Sequence, residues 1–139
     1  MKVDIKWDGD IRFIGTSGTG HSVKMDTVAE KGGTDQGPSP MEMVLMGLGG
    51  CSAVDVVLIL RKMKQSIEDC FVSIDAERAT TDPKVFTKIR LRFTVVGTGL
   101  SLDRVEHAVQ LSADKYCSAS AMLDKTAEIT HEVEIVEAT

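Results

Sequence analysis

The chain is predicted to fold as a single α+β domain over residues 1–139, and two patterns in its sequence carry that expectation. Stretches whose polarity alternates residue by residue, as in half-buried strands, are grouped at 2–25, 71–96 and 129–135. Stretches that are continuously apolar or apolar at helical spacing are grouped at 39–64 and 101–121. Strands grouped apart from helices, rather than alternating singly with them, mean α+β. Neither an internal repeat nor a low-complexity tract interrupts this order.

At the N-terminus Val3, Ile5 and Trp7 alternate with Asp4 and Lys6, and residues 11–15 and 21–25 flank the turn-forming run Gly15-Thr16-Ser17-Gly18-Thr19-Gly20. Residues 2–7, 11–15 and 21–25 are therefore expected to form an antiparallel meander. The run from Glu30 to Pro38 has no apolar period and is dense in turn formers, so an exposed loop should follow. Ser39-Pro40-Met41-Glu42 then carries three signals for a helix start: Ser39 can cap, Pro40 suits the first helical position, and Glu42 completes an S-x-x-E capping box. The residues beyond are apolar nearly all round, and Gly47, Gly49 and Gly50 are expected to divide them into two helices, the second starting at Cys51 and reaching about Lys64.

Downstream, residues 71–77 and 85–96 alternate, with Val72, Ile74 and Ala76 on one strand and Ile89, Leu91, Phe93 and Val95 on the next; Thr81-Asp82-Pro83 turns between them. This hairpin should have one wet face, carrying Lys88, Arg90 and Arg92. Ser101 is positioned to cap a third helix containing Leu102, Val105, Val109 and Leu111, which should stop at Tyr116-Cys117 before a short helix from Ser118. A last strand, from Ile129 to Ile135, closes the order.

Composition limits what such a domain can do. A chain of 139 residues with 42% hydrophobic residues can form one core, but aromatic residues are only 4%, so the core must be aliphatic with help from seven methionines. Self-association would add burial. A net charge of −5 and a pI near 5.2 argue against a nucleic-acid partner, which needs clustered Lys and Arg. No uninterrupted apolar run reaches the roughly 18 residues that span a bilayer, and the alternating N-terminus is unlike a signal peptide. A cytoplasmic protein with no membrane partner is expected. In that reducing compartment three cysteines do not suggest a disulfide framework, and free, packed or catalytic thiols remain.

Cys51, in Gly49-Gly50-Cys51-Ser52-Ala53, and Cys117, in Lys115-Tyr116-Cys117-Ser118-Ala119, both fall at expected helix boundaries. Unpaired N–H groups at a helix start favour a thiolate, whereas a cysteine among apolar neighbours simply packs; either reading suits each residue alone. Two such placements favour a redox pair. The small neighbours Gly49, Gly50, Ser52, Ala53, Ser118 and Ala119 would allow the roughly 5.5 Å backbone approach a disulfide requires. Cys70 opens a strand and reads as a small core residue, and Asp55 as a helix-start acid. Glu42 is accounted for by the capping box, with a second possible use in orienting a base or cation near the thiolate. His21, His107 and His131 occur singly, without metal-ligand spacing, so no metal is expected; His21 or His131 could serve a thiol as base.

Pro38-Ser39-Pro40-Met41-Glu42, Gly50-Cys51-Ser52-Ala53-Val54-Asp55 and Lys115-Tyr116-Cys117-Ser118, at these separations, resemble the OsmC/Ohr family, nearest its YhfA-like branch. The resemblance implies two antiparallel sheet portions around central Cys-bearing helices in an intertwined homodimer. It also implies a thiol-dependent organic hydroperoxide reductase of oxidative or osmotic stress defence. In that scheme Cys51 is the peroxidatic cysteine, Cys117 the resolving one and Glu42 the glutamate that pairs with a catalytic arginine. The partners it implies are a hydroperoxide substrate and an external dithiol reductant such as a lipoyl-bearing protein; no cofactor is involved. The family's arginine belongs in the N-terminal hairpin, yet residues 15–22 contain none, which leaves Arg12 and Arg78 as candidates. The alternative is a non-enzymatic stress-associated protein that binds a small apolar ligand at a dimer interface near Met41, Met43 and Met46.

Overall fold

A computed structural model describes all 139 residues, Met1–Thr139, and divides them into two compact units, Met1–Met46 and Gly47–Thr139. The first unit is the expected meander: β1 (Val3–Trp7), β2 (Phe13–Ser17) and β3 (Ser22–Met25) form an antiparallel sheet in the order β1-β2-β3. Val3 pairs with Ser17, Trp7 with Phe13 and Phe13 with Met25.

The segment after β3 is more organised than a plain exposed loop. Asp26, only 2% exposed, accepts hydrogen bonds from the Thr27 amide at 2.8 Å, the Thr34 hydroxyl at 2.7 Å and the Gln36 amide at 3.1 Å. Thr34 in turn accepts from Arg12 Nη1 at 3.0 Å, which joins the loop to the β1–β2 turn. The chain packs so closely here that a Cβ at Gly33 would collide with the Thr27 carbonyl, and one at Gly37 with the Lys24 carbonyl. The loop ends in the expected capping box: the Ser39 amide donates to Glu42 Oε1 at 2.9 Å, and the Glu42 amide donates to Ser39 Oγ at 3.2 Å.

One expectation is corrected at the next element. Gly47, Gly49 and Gly50 do not divide the helical run; α1 is one helix of 23 residues, Pro40–Lys62, with Cys51 in its middle. A glycine costs a helix only about 1 kcal/mol, whereas burying a side chain such as Leu48, Val56 or Leu60, each 0% exposed, gives about 1.5–3 kcal/mol. Gly49 also has a packing reason: its absent Cβ would lie 3.0 Å from Ile74 Cδ1, so the bare backbone lets α1 close on the strand that follows. The continuous α1 is, by length and composition, apolar enough to cross a membrane, which the search for an uninterrupted apolar run did not anticipate. It nevertheless carries Asp55, and Leu48, Val56 and Leu60 lie in the core.

The second unit holds β4 (Ser66–Arg78), β5 (Phe86–Thr98), α2 (Leu102–Leu111), α3 (Ser118–Leu123) and β6 (Glu128–Glu137). β4 and β5 are antiparallel, with Ile74 opposite Leu91 and Val72 opposite Phe93. The sheet order is β4-β5-β6, but β6 runs parallel to β5, which corrects the expectation of wholly antiparallel sheets. The helical crossover returns the chain to the end where β5 began, and such a connection yields parallel neighbours. Ser101 caps α2 by accepting from the Arg104 amide, as expected. The core is mostly aliphatic, as anticipated, but Phe93 is its largest side chain and no methionine is buried in it: Ile89, Leu91, Phe93 and Val95 from β5, together with Val105, Ala108 and Val109 from α2, are at most 3% exposed.

Candidate functional site

The two cysteines that the sequence sets 66 positions apart come together in the second unit. Cys117 arrives by way of a π-helical turn, Ser112–Tyr116, that follows α2 directly. Its amide donates to the Ser112 carbonyl at 2.8 Å, and the Ser112 hydroxyl donates to Asp55 Oδ2 on α1 at 2.9 Å. Asp55 is not the helix-start acid its sequence suggested: it lies in the interior of α1, where its structural role is to tie the helix to the turn that presents Cys117. With extended φ −75° and ψ 103°, Cys117 is the N-cap of α3, and its Sγ accepts from the Ser120 amide at 3.4 Å. On its other side Ser52 Oγ lies 3.3 Å away.

Cys117 is 2% exposed, whereas Cys51 is half-buried. Burial resists a charge on Cys117, but the hydroxyls of Ser120 and Ser52 and the Ser120 amide outweigh it and hold the thiol below its ordinary range. Cys51 is drawn toward the thiolate by the Ala119 amide, yet burial and the neighbouring Cys117 prevail and push its thiol up. Two interacting thiols titrate as a pair, the first proton leaving easily and the second with difficulty. Of the two sulfurs, Cys117 is the one on which negative charge is favoured.

Cys51 does not stand at a helix start, so the end of its own helix does nothing for it. The amides that favour its thiolate belong to Ser118 and Ala119, at the beginning of α3. For Cys117 the expected helix-boundary position holds.

Glu42 is exposed and its carboxylate is engaged with Ser39; that amide, the Ser39 hydroxyl and Lys31 keep it below the usual carboxylate range against a small effect of burial. Arg12 Nη1 reaches Asp10 Oδ2 at 3.0 Å, and its Nη2 donates to the Asp8 carbonyl at 2.9 Å. Arg78 Nε donates to the Lys84 carbonyl at 2.8 Å, and its guanidinium lies over the Phe86 ring at 6.0 Å. Arg12 is thus engaged in its own turn and with Thr34, and Arg78 in its own turn. Cys70 is half-buried on β4, where burial and Asp69 push its thiol up. His21 bonds Thr19 in the β2–β3 turn at 3.1 Å. His131 stacks on Phe93 with centroids 6.3 Å apart, and burial lowers its pKa against the opposing pull of Asp114. No three His, Cys, Asp or Glu side chains gather as a metal would need.

Sequence reasoning treated Ser52 only as a small neighbour and did not single out Ser112 or Ser120. A signal for Ser52 was present: Leu48, Ser52, Val56 and Leu60 recur every four residues along α1, all at most 2% exposed, and Ser52 is the one polar member of that buried stripe.

A family model described as "OsmC-like protein" matches residues 33–132. Protein YhfA of Escherichia coli strain K12 is 48% identical over 138 residues, which is 99% of this chain and 100% of that protein. A solved hypothetical protein from Aquifex aeolicus VF5 is 26% identical with a TM-score of 0.87, covering 99% of this chain and 97% of that one. A structure described as an organic hydroperoxide resistance protein OsmC from Legionella pneumophila shares the fold at 16% identity, with a TM-score of 0.71 and coverage of 96% and 95%.

Proposed function

The chain belongs to the OsmC-like protein family, and on that footing we propose that it is a two-cysteine thiol peroxidase that reduces organic hydroperoxides. The observation that carries this reading is the meeting of two cysteines 66 positions apart, with Cys51 the more exposed and Cys117 buried against Ser52 and the Ser120 amide. The fold relative described as an organic hydroperoxide resistance protein suggests the substrate class.

The chemistry follows from that pairing, with negative charge favoured on Cys117. Cys51 passes its proton to the Cys117 thiolate and becomes the nucleophile, held by the Ala119 and Ser118 amides. Its sulfur attacks the O–O bond, forming Cys51 sulfenic acid and releasing an alkoxide, which takes the proton from Cys117 and leaves as alcohol. The Cys117 thiolate then attacks the Cys51 sulfur, forming the disulfide and expelling hydroxide. An external dithiol reverses the oxidation by exchange. With Arg12 and Arg78 engaged elsewhere, serine hydroxyls and backbone amides supply the stabilisation; hydrogen bonds to a charged group contribute about 1.5–3 kcal/mol each. Glu42 acts in this scheme by fixing the start of α1 through Ser39.

A second copy of the chain is the proposed partner, in the cytoplasm. The exposed apolar side chains support it: Val54 and Leu58 on α1 are 59% and 51% exposed, and Phe71 and Met122 are 62% and 68% exposed. Stopped-flow mixing with an organic hydroperoxide tests the activity. Wild type should consume peroxide and form the Cys51–Cys117 disulfide, Cys117→Ser should stop at a trappable sulfenic acid, and Cys51→Ser should do neither. Unchanged turnover in Cys51→Ser would reject the reading.

A further inference from the structure

We infer that the Cys51–Cys117 disulfide is polarised for its own reduction: an incoming thiolate bonds to the Cys51 sulfur, Cys117 departs as thiolate, and Ser52 is the positioning residue whose hydroxyl receives it. The inference rests on the disulfide of the proposed cycle, and it assigns to Ser52 a role beyond filling space.

Access points to Cys51. A thiol attacking a disulfide must approach in line with the S–S bond, and Cys51 is half-buried while Cys117 is 2% exposed, enclosed by Ser52 at 2% and Ser120 at 3%. The leaving side is also prepared. Ser52 Oγ stands 3.3 Å and the Ser120 amide 3.4 Å from Cys117 Sγ, and the buried Ser120 hydroxyl, which has no other partner, is free to turn toward the same sulfur. Exchange is faster when the departing sulfur is the better-stabilised thiolate. The Ala119 and Ser118 amides would help Cys51 leave instead, but attack on Cys117 would require the incoming sulfur to enter that closed serine pocket.

Atoms and electrons balance through two exchanges. The first reductant thiolate bonds to Cys51 as the Cys51–Cys117 bond breaks, and its electron pair goes to Cys117. A second thiol of the same reductant then attacks the mixed disulfide at the reductant's own sulfur. The reductant departs as an internal disulfide, and Cys51 is released to take a proton. Such a cycle calls for a reductant whose two thiols are close together, and Cys51 is the sulfur it must reach.

The test uses the full chain oxidised with diamide and then treated briefly with glutathione, quenched in acid, alkylated and mapped by mass spectrometry. Glutathione should appear on Cys51 about tenfold or more over Cys117. Glutathione predominantly on Cys117 would overturn the inference while leaving the peroxidase reading intact, whereas no disulfide under diamide would reject both. Ser52 is judged separately by thiolate absorbance at 240 nm in the Cys51→Ser background. Adding Ser52→Ala should raise the titration midpoint of Cys117, and in the two-cysteine chain it should slow disulfide reduction by about three- to tenfold. Ser52→Thr, which keeps the hydroxyl, should restore both. A midpoint that Ser52→Ala does not move would show that the serine only packs.

Discussion

Asp26 and Cys117 are both buried acceptors, each 2% exposed and each gathered in by a serine or threonine hydroxyl and backbone amides, yet they differ in the permanence of their charge. Asp26 receives the Thr34 hydroxyl and the Thr27, Gln36 and Thr34 amides, which overcome burial and bring its pKa from 3.8 to about 2. It is an anion wherever the protein is folded at ordinary pH, and loop 27–36 is organised around it. Cys117 begins as a far weaker acid, has longer contacts of 3.3 and 3.4 Å, and has a second thiol competing for the same proton. The same kind of donor set thus builds a fixed structural charge in one unit and an exchangeable one in the other. The strength of the acid and the presence of a proton partner decide between them.

The sharpest way to break the comparison is to remove the proton partner. Cys51→Ser should lower peroxide consumption on the order of a thousandfold or more, read by stopped flow, because the nucleophile itself is lost. Asp26→Asn should next cause a clear fall in melting temperature and faster proteolysis within 27–36, since an amide nitrogen would then face donors with nothing to accept. The pH dependence has a definite sign. Asp26 has a depressed folded pKa, so its contribution is fully present above about pH 3.8 and is lost as pH falls toward 2. Wild type should therefore lose its stability advantage over Asp26→Asn across that window in pH-dependent melting.

Smaller effects sharpen the local accounts. Ser101→Ala removes the α2 cap and should cost about 1 kcal/mol in denaturant unfolding. Gly49→Ala should shift stability by less than about 1 kcal/mol, because the gain in helix propensity offsets the displacement of the flexible Ile74 tip. Gly33→Ala should be worse than Gly49→Ala, because its new methyl meets backbone rather than a movable side chain end.

The features readable from sequence were those fixed by neighbours in the chain. The meander, the Ser39–Glu42 box, the Ser101 cap and the β4–β5 hairpin each rest on signals within a few residues. The glycine break failed because packing of α1 against β4 and the core outweighs local propensity, and propensity was all the sequence displayed. The direction of β6 was equally hidden: its residues alternate the same way in a parallel or antiparallel neighbour, and the intervening crossover sets the choice. At the site, the two cysteines could be singled out by their small neighbours. The donors that set their ionisation could not, because Ser52 lies 65 positions from Cys117 and Ala119 is slightly farther still from Cys51.

The parallel docking of β6 also has a consequence for the order of assembly. β5 can form its hairpin with β4 as soon as both exist, but its other edge stays open until residues 128–137 arrive from 40 positions downstream in register. The segment that presents Cys117 lies within the crossover that this late strand closes. A growing chain therefore carries Cys51 without its partner until residue 117 has been added, and the two thiols are held together only when the last strand locks the crossover down.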